Sequence, residues 1–290
     1  MILVTGASGT VGAEVARQLA PRCAVRLMAR DPGRITAGGP RTEAVAADYE
    51  NPVSLGRALR GVRTAFLVTG HPARRHDEAF LAAAAAAGVR HVVKLSAAVV
   101  GDDTDDLVTR RQRETEEAVR RSPLTWALLR PRAFMSNTLA WAPGIRAGDT
   151  VAALYGDAPN TPVDPRDVAS VAVRLLMEPE RHAGRTCTLV GPEALTAVQQ
   201  TRILSELLGR PLRFRPLTRR EAAAELMRRY PPEVAEALLR RADLQAAGGK
   251  KRTGTVPPEL TGGPLRTYRA WALGHLHHFG GRSPALAPAR

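Results

Sequence analysis

Lysine is nearly absent from this chain. It stands only at Lys94, Lys250 and Lys251, so almost all of the 42 basic residues are arginine. The formal net charge of +14 is therefore an arginine surplus scattered through every segment, and aromatics make up only 4% of the residues. That is too few for a base-stacking platform, and no nucleic-acid partner is expected. Abundant Ala, Arg, Gly and Pro with little Lys reads instead as the coding bias of a GC-rich genome. Cysteine occurs only at Cys23 and Cys187, which excludes a disulfide framework and suits reduced thiols in a cytoplasmic protein. No apolar run reaches membrane-span length: the stretch 82–87 is short and Gly88 follows it. Nothing resembles a signal peptide, because strand-like sequence begins at Met1. No metal site and no membrane association are expected, and the oligomeric state is left open.

What is present starts at the first residue. Ile2 to Thr5 are β-prone and apolar, glycines follow at Gly6, Gly9 and Gly12, and the helical pattern 11–19 begins at once. A strand, a glycine turn and a helix place bare backbone N–H groups at a helix N-terminus, an anion site suited to a dinucleotide diphosphate. Gly6 can take the tight turn, Gly9 lets the diphosphate approach, and Gly12 lets the helix pack close to the strand. Ser8, Thr10 and Val11 complete this candidate loop. The spacing is G-x-x-G-x-x-G, and its position between strand and helix is what gives it weight.

Strand-like runs at 2–5, 25–29, 43–47, 65–69, 91–96, 125–129 and 186–190 alternate with helical patterns at 11–19, 53–59, 77–87, 107–121 and 167–177. Uninterrupted apolar strands alternating with helices imply a parallel sheet covered on both faces. The expected fold is α/β: a Rossmann-like, doubly wound parallel sheet over 1–190, with 131–163 contributing to the substrate side. A small, mainly helical C-terminal substrate lobe is expected over 191–280. Its helices are placed at 196–208, 218–228, 232–241 and 265–278, with a mobile loop at 246–264 and a disordered tail at 281–290.

The second strand ends at Arg30-Asp31, where an arginine would pair with a 2′-phosphate and an acid would accept a 2′-hydroxyl. Arg30, with Arg34 as a second cation, favours NADP(H) over NAD(H); Asp31 is the competing acid. Asp48 after the third strand could meet the adenine amino group, with Tyr49 beside the ring, or cap the next helix. The fourth strand ends Val68-Thr69-Gly70-His71, small enough to let a cofactor cross the sheet edge, with His71 read as a polar loop residue. On the fifth strand, Ser96 can face the nicotinamide. Lys94 lies where burial is costly without a partner; it either snorkels to an edge or reaches the cofactor ribose. Ser96 and Lys94 are the weak catalytic candidates.

These features resemble the atypical short-chain dehydrogenase/reductase superfamily, and within it the NmrA-like NAD(P)H-binding family. The resemblance is carried by Thr5-Gly-Ala-Ser-Gly-Thr-Val-Gly12, Ala29-Arg30, Val92-Val-Lys-Leu-Ser96, Arg113-Glu-Thr-Glu-Glu117, Leu128-Leu-Arg-Pro131 with Phe134-Met-Ser-Asn137, and Asp164-Pro-Arg-Asp-Val-Ala169. It implies that Pro131 to Phe134 wall the nicotinamide, that Asn137 and Trp141 look into the substrate side, and that Asp167 caps and anchors the helix it opens.

One departure shapes the chemistry. Many members of the superfamily use Tyr-x-x-x-Lys to deliver a proton, and that motif occurs nowhere in this chain. In the family register, Val108 and Gln112 occupy the two positions. A hydride acceptor that spreads charge over its own π system does not need the dyad, so a small, largely apolar conjugated substrate (quinone, enone or natural-product intermediate) is expected for an NADPH-dependent oxidoreductase. A non-catalytic NADP(H) sensor that binds a protein partner, and a redox-neutral epimerase or cyclase, are the other readings.

Overall fold

The computed structural model describes residues 1–69, 76–102, 104–248 and 258–281. Residues 249–257 of the expected loop at 246–264, and all of the expected tail at 281–290 except Gly281, lie outside these residues; the described part of the loop stretch is not all loop, since one helix ends at Ala246 and another spans Pro258–Thr261. The chain runs β1 (Ile2–Thr5), α1 (Thr10–Leu19), β2 (Val25–Ala29), β3 (Thr42–Ala46), α2 (Pro52–Leu59), β4 (Thr64–Leu67), α3 (His76–Ala86), β5 (His91–Leu95) and α4 (Leu107–Arg121). It continues through β6 (Thr125–Pro131), α5 (Ala142–Gly148), β7 (Thr150–Ala153), α6 (Pro165–Met177), α7 (Pro179–His182) and β8 (Arg185–Leu189). The last elements are α8 (Ala197–Leu208), β9 (Arg213–Pro216), α9 (Arg219–Met227), α10 (Pro232–Ala246), α11 (Pro258–Thr261) and α12 (Tyr268–Gly274).

Two units account for these elements. The first comprises Met1–Arg132, Pro165–Leu189 and Val256–Pro264. Its seven strands are all parallel in the order β3-β2-β1-β4-β5-β6-β8. The chain moves outward from β1 to β3, then returns to the other side of β1 at β4. The carboxyl ends of β1 and β4 therefore diverge, which is the switch point where doubly wound sheets bind ligands. One face buries Leu3, Leu67, Val92 and Leu128 against Leu55, Phe80 and Val119 of α2, α3 and α4. Alternation sends Val4, Phe66 and Val93 to the opposite face, which α1 and α6 cover.

Helix starts follow local chemistry. Asn51 caps α2 by accepting the Ser54 N–H at 3.1 Å, with Pro52 at the first position, where its missing N–H is harmless. The cap is thus Asn51 and not Asp48, whose Oδ1 instead accepts the Glu50 N–H at 3.0 Å. Asp167 is not at the N-cap position of α6: the helix opens at Pro165, and Asp167 lies inside its first turn, 3% exposed.

The second unit comprises Ala133–Asp164, Val190–Thr255 and Leu265–Arg290. Its core joins Met135, Ile145, Val151, Leu204, Tyr268, Trp271 and Phe279. It is mainly helical, but it also holds a strand pair absent from the sequence reading, β7 with β9 in parallel. Arg213-Phe-Arg-Pro216 carries one apolar residue between two arginines, so no strand signal stands out. The helix expected over 265–278 is shorter. Thr267 caps α12 by accepting the Ala270 N–H at 3.2 Å, the helix stops at Gly274, and a 3-10 turn spans Leu276–Phe279. In turn, α10 runs on to Ala246, past the expected end at 241.

Candidate active site

The site is built where β1 ends. Gly6 takes φ +60°, the left-handed conformation that a side chain disfavours, and its carbonyl accepts the Gly9 N–H at 2.9 Å. A Cβ on Gly12 would fall on the Gly6 carbonyl oxygen and 2.7 Å from the carbonyl carbon, so only glycine lets α1 start this close to the turn. Gly9 is the N-cap of α1 and offers no capping side chain. The amides of Thr10, Val11 and Gly12 thus open the helix with no side-chain acceptor upon them, which leaves a fit for an anion. Ser8 is exposed at the crest of the turn.

The tip of β2 places Arg30 on the surface, where it has no ion-pair partner among the described residues. Asp31 is engaged: its Oδ1 accepts the Gly33 N–H at 3.0 Å and caps a short 3-10 turn, Pro32–Arg34, that brings Arg34 back beside the strand end. Asp48 is half-buried beyond β3. Tyr49 is also half-buried, with its ring stacked on His76 at 5.1 Å and edge-on to Phe80 at 6.1 Å, and its hydroxyl donates to the Val68 carbonyl at 2.7 Å. Gly70 and His71 lie outside the described residues.

Lys94 neither snorkels outward nor stands free. It is 1% exposed, and its Nζ lies 2.6 Å from Asp77 Oδ1 and 2.5 Å from Thr69 Oγ1. The Thr69 hydroxyl donates to the same carboxylate. The ammonium is thus neutralised by the first turn of α3 and ties the ends of β4 and β5 to that helix. Asp77 is the partner that a buried lysine requires, and sequence reading did not identify it.

Ser96, just past β5, donates from Oγ to Glu116 Oε1 at 2.6 Å. Glu116 is 0% exposed. Arg130 of β6 reaches it with Nε at 2.7 Å and a terminal nitrogen at 2.5 Å, and Arg120 adds a bond at 2.9 Å. Burial pushes the Glu116 carboxyl upward, but the hydrogen bonds from Arg130 and Ser96 outweigh it and hold the group below the usual carboxylate range. Beside this cluster Arg132 grips Asp102 in a two-pronged pair at 2.5 and 3.1 Å, both side chains almost fully buried. Pro131 ends β6, buried and paired with Leu189.

The first half of α4 offers no free acid. Thr109 donates to Asp106 Oδ2 at 2.8 Å, Arg110 pairs with Asp105 and Arg111 with Glu114. Val108 is half-buried, and Gln112 Oε1 is buried without a hydrogen-bond partner among the described residues.

In the second unit, Phe134 precedes the 3-10 turn Met135–Trp141, and its backbone forms a parallel bridge with Val163. Phe134 and Trp141 are half-buried and Asn137 is exposed. Among the described residues no group of three His, Cys, Asp or Glu could hold a metal ion, and no helix is long and apolar enough to cross a membrane.

Known proteins resemble this chain in sequence and in fold. The sequence model of a family described as NAD(P)H-binding matches residues 6–179. The chain is 53% identical to the (4-alkanoyl-5-oxo-2,5-dihydrofuran-3-yl)methyl phosphate reductase of Streptomyces griseus, over 96% of this chain and 99% of that protein. It is 31% identical to the NAD(P)H azoreductase of Xenophilus azovorans, over 97% of this chain and 99% of the other. The solved NADPH complex of the NADPH-dependent quinone oxidoreductase from Escherichia coli superposes with a TM-score of 0.80 at 25% identity, covering 96% of this chain and 100% of that one.

Proposed function

Since the chain belongs to the NAD(P)H-binding family and is an NAD(P)H-dependent oxidoreductase, we propose that it reduces the ring alkene of an acyl-substituted butenolide bearing a phosphate ester, with NADPH as the favoured donor. The observation that carries this reading is the 53% identity, over nearly the whole chain, to a reductase named for that substrate. Such an acceptor is conjugated, as the sequence suggests, but more polar than the largely apolar molecule expected.

The chemistry fits a site without a tyrosine–lysine dyad. NADPH supplies a hydride. Addition to the β-carbon of the ring alkene moves the π electron pair onto the α-carbon, which lies between the lactone carbonyl and the acyl carbonyl. That enolate is delocalised over both oxygens, and water delivers the proton to the α-carbon. No side chain of this chain has to act as the acid, in keeping with Val108 and Gln112 on α4 and with Thr109, Arg110 and Arg111 already engaged. Lys94 is held by Asp77 and Ser96 by Glu116, so both are assigned to shaping the carboxyl edge of the sheet and not to proton transfer.

Preference for NADPH rests on the β2 tip. Asp31 is occupied by the Gly33 amide, while Arg30 has no ion-pair partner among the described residues and stands at the strand tip, where a ribose 2′-phosphate would lie. On this reading Gly6, Ser8, Gly9, Thr10, Val11 and Gly12 grip the diphosphate, Arg30 and Arg34 the 2′-phosphate, Asp48 the adenine, and Val68, Thr69, Ser96 and Pro131 line the path to the nicotinamide. In the second unit, taken by itself, Phe134, Asn137 and Trp141 are the candidate substrate residues.

The test is direct. The purified chain is incubated with NADPH and, separately, a synthetic 4-alkanoyl butenolide methyl phosphate, its unphosphorylated alcohol and a simple quinone. A product two mass units heavier, saturated at the ring by NMR and formed fastest from the phosphate, supports the proposal. Rapid quinone turnover with an untouched butenolide overturns it.

A further inference from the structure

Val68 follows β4 and is held from two sides by hydroxyl groups. The Thr5 hydroxyl accepts the Val68 N–H at 2.8 Å and donates to the Phe66 carbonyl at 3.0 Å. The Tyr49 hydroxyl donates to the Val68 carbonyl at 2.7 Å. The backbone pairing of β1 with β4 ends at Val4 opposite Phe66, so Thr5 continues the ladder with its side chain just where the main chain turns away into the glycine loop.

Val68 is the surface on which that loop rests. A Cβ on Gly6 would lie 3.1 Å from Val68 Cβ and 3.3 Å from Cγ1. Any shift of Val68 therefore moves the support under Gly6, and with it the carbonyl that receives the Gly9 amide at the mouth of α1. Tyr49 is well fixed for this task. Its ring is stacked on His76 and set edge-on to Phe80, inside the cluster under α2 and α3. Burial raises its hydroxyl pKa far above the ordinary value, so it stays a protonated donor at every working pH.

We infer that Tyr49 is a positioning residue for the cofactor's diphosphate: through Val68 its hydroxyl sets the height of the Gly6 turn, and its ring does not cover the adenine. The inference rests on the reading that residues 6–12 receive the diphosphate. A glycine loop has few side-chain contacts of its own, so its conformation must be held from beneath if binding is not to spend free energy on ordering it.

The test compares the full-length wild type with Tyr49→Phe, Tyr49→Leu, Thr5→Ser and Thr5→Val, by NADPH fluorescence titration and by the melting midpoint without ligand. Loss of one buried hydrogen bond sets the scale: Tyr49→Phe should raise the NADPH Kd about fivefold to tenfold. Thr5→Val should weaken binding in the same direction, and Thr5→Ser, which keeps the hydroxyl, should restore it. Wild-type affinity in Tyr49→Phe with weak binding in Tyr49→Leu overturns the inference in favour of a ring contact. A lowered melting midpoint in Tyr49→Phe with an unchanged Kd overturns it in favour of a purely structural role. A wild type that does not bind NADPH overturns the cofactor reading and the inference together, whereas a wild type that binds beside an equally tight Tyr49→Phe overturns the inference alone.

Discussion

Lys94 and Asp77 form an ion pair 2.6 Å long with side chains 1% and 5% exposed. Taking either partner away leaves the other charge buried, which is costlier than never having had the pair. Asp77→Ala should cost about 3–5 kcal/mol in urea unfolding, because among the described residues Thr69 is the remaining partner of the ammonium. The double replacement Lys94→Met with Asp77→Leu should recover most of that loss. A single replacement that costs no more than an exposed salt bridge, with no recovery in the double variant, would show that the pair is solvated in solution.

The buried carboxylate of Glu116 makes an acid-side prediction. Its pKa lies below the ordinary carboxylate value of 4.5 in the folded chain, so the unfolded chain binds the proton first as pH falls. Its stabilisation is complete above about pH 4.5 and is lost as pH falls through the lower folded value. Glu116→Gln removes that pH dependence and weakens the charge-assisted bonds from Arg130, at a cost of about 1.5–3 kcal/mol at neutral pH. Urea midpoints of both proteins across the acid range measure this; parallel curves for the two would contradict it.

His91 titrates in a separate window. Thr125 Oγ1 donates to the Arg90 carbonyl at 2.9 Å, so the His91 Nδ1–H, 2.9 Å away, must be the donor to that oxygen. Nε2 is then a bare lone pair, buried without a partner among the described residues. Burial lowers the His91 pKa to about 4, opposed by the charge of Glu180 and helped by His182. A histidine with a depressed folded pKa stabilises fully above its unfolded value near 6.5, and that contribution drains away as pH falls from there towards about 4. The wild type should lose stability across this window, before Glu116 protonates, and His91→Asn should flatten that part of the profile.

Local chemistry was readable from the sequence, and long-range pairing was not. The strand, glycine turn and helix over the first nineteen residues needed nothing beyond their own order, because turn, close approach and N-terminus are all set by neighbours in the chain. The missing tyrosine and lysine on α4 were visible in the same way. Lys94 could be flagged as a buried charge, but Asp77 could not be named as its partner, because α3 and β5 meet only once the sheet forms. Tyr49 looked like a ring beside a ligand because an aromatic past a strand end suggests stacking, while its hydroxyl bond to Val68 depends on how β4 sits beside β1. Glu116 stood in a recognised motif, yet its role as acceptor for Ser96 and Arg130 depends on the side-by-side register of β5 and β6.

Arg30 carries the last prediction, which concerns coenzyme choice. A guanidinium facing a 2′-phosphate contributes charge-assisted hydrogen bonds, each worth about 1.5–3 kcal/mol, and NADH has no phosphate to receive them. Arg30→Ala should therefore raise the NADPH Kd about tenfold to a hundredfold and leave the NADH Kd close to the wild-type value. Arg34→Ala should act in the same direction and more weakly, since Arg34 stands at the far end of the Pro32–Arg34 turn from the strand tip. Because Asp31 holds the Gly33 amide that starts this turn, Asp31→Ala should also weaken NADPH, by loosening the turn, and should not improve NADH. Paired titrations of the four proteins with both coenzymes decide it. If Arg30→Ala weakens NADPH and NADH equally, the residue supports the fold of the β2 tip and does not choose the coenzyme.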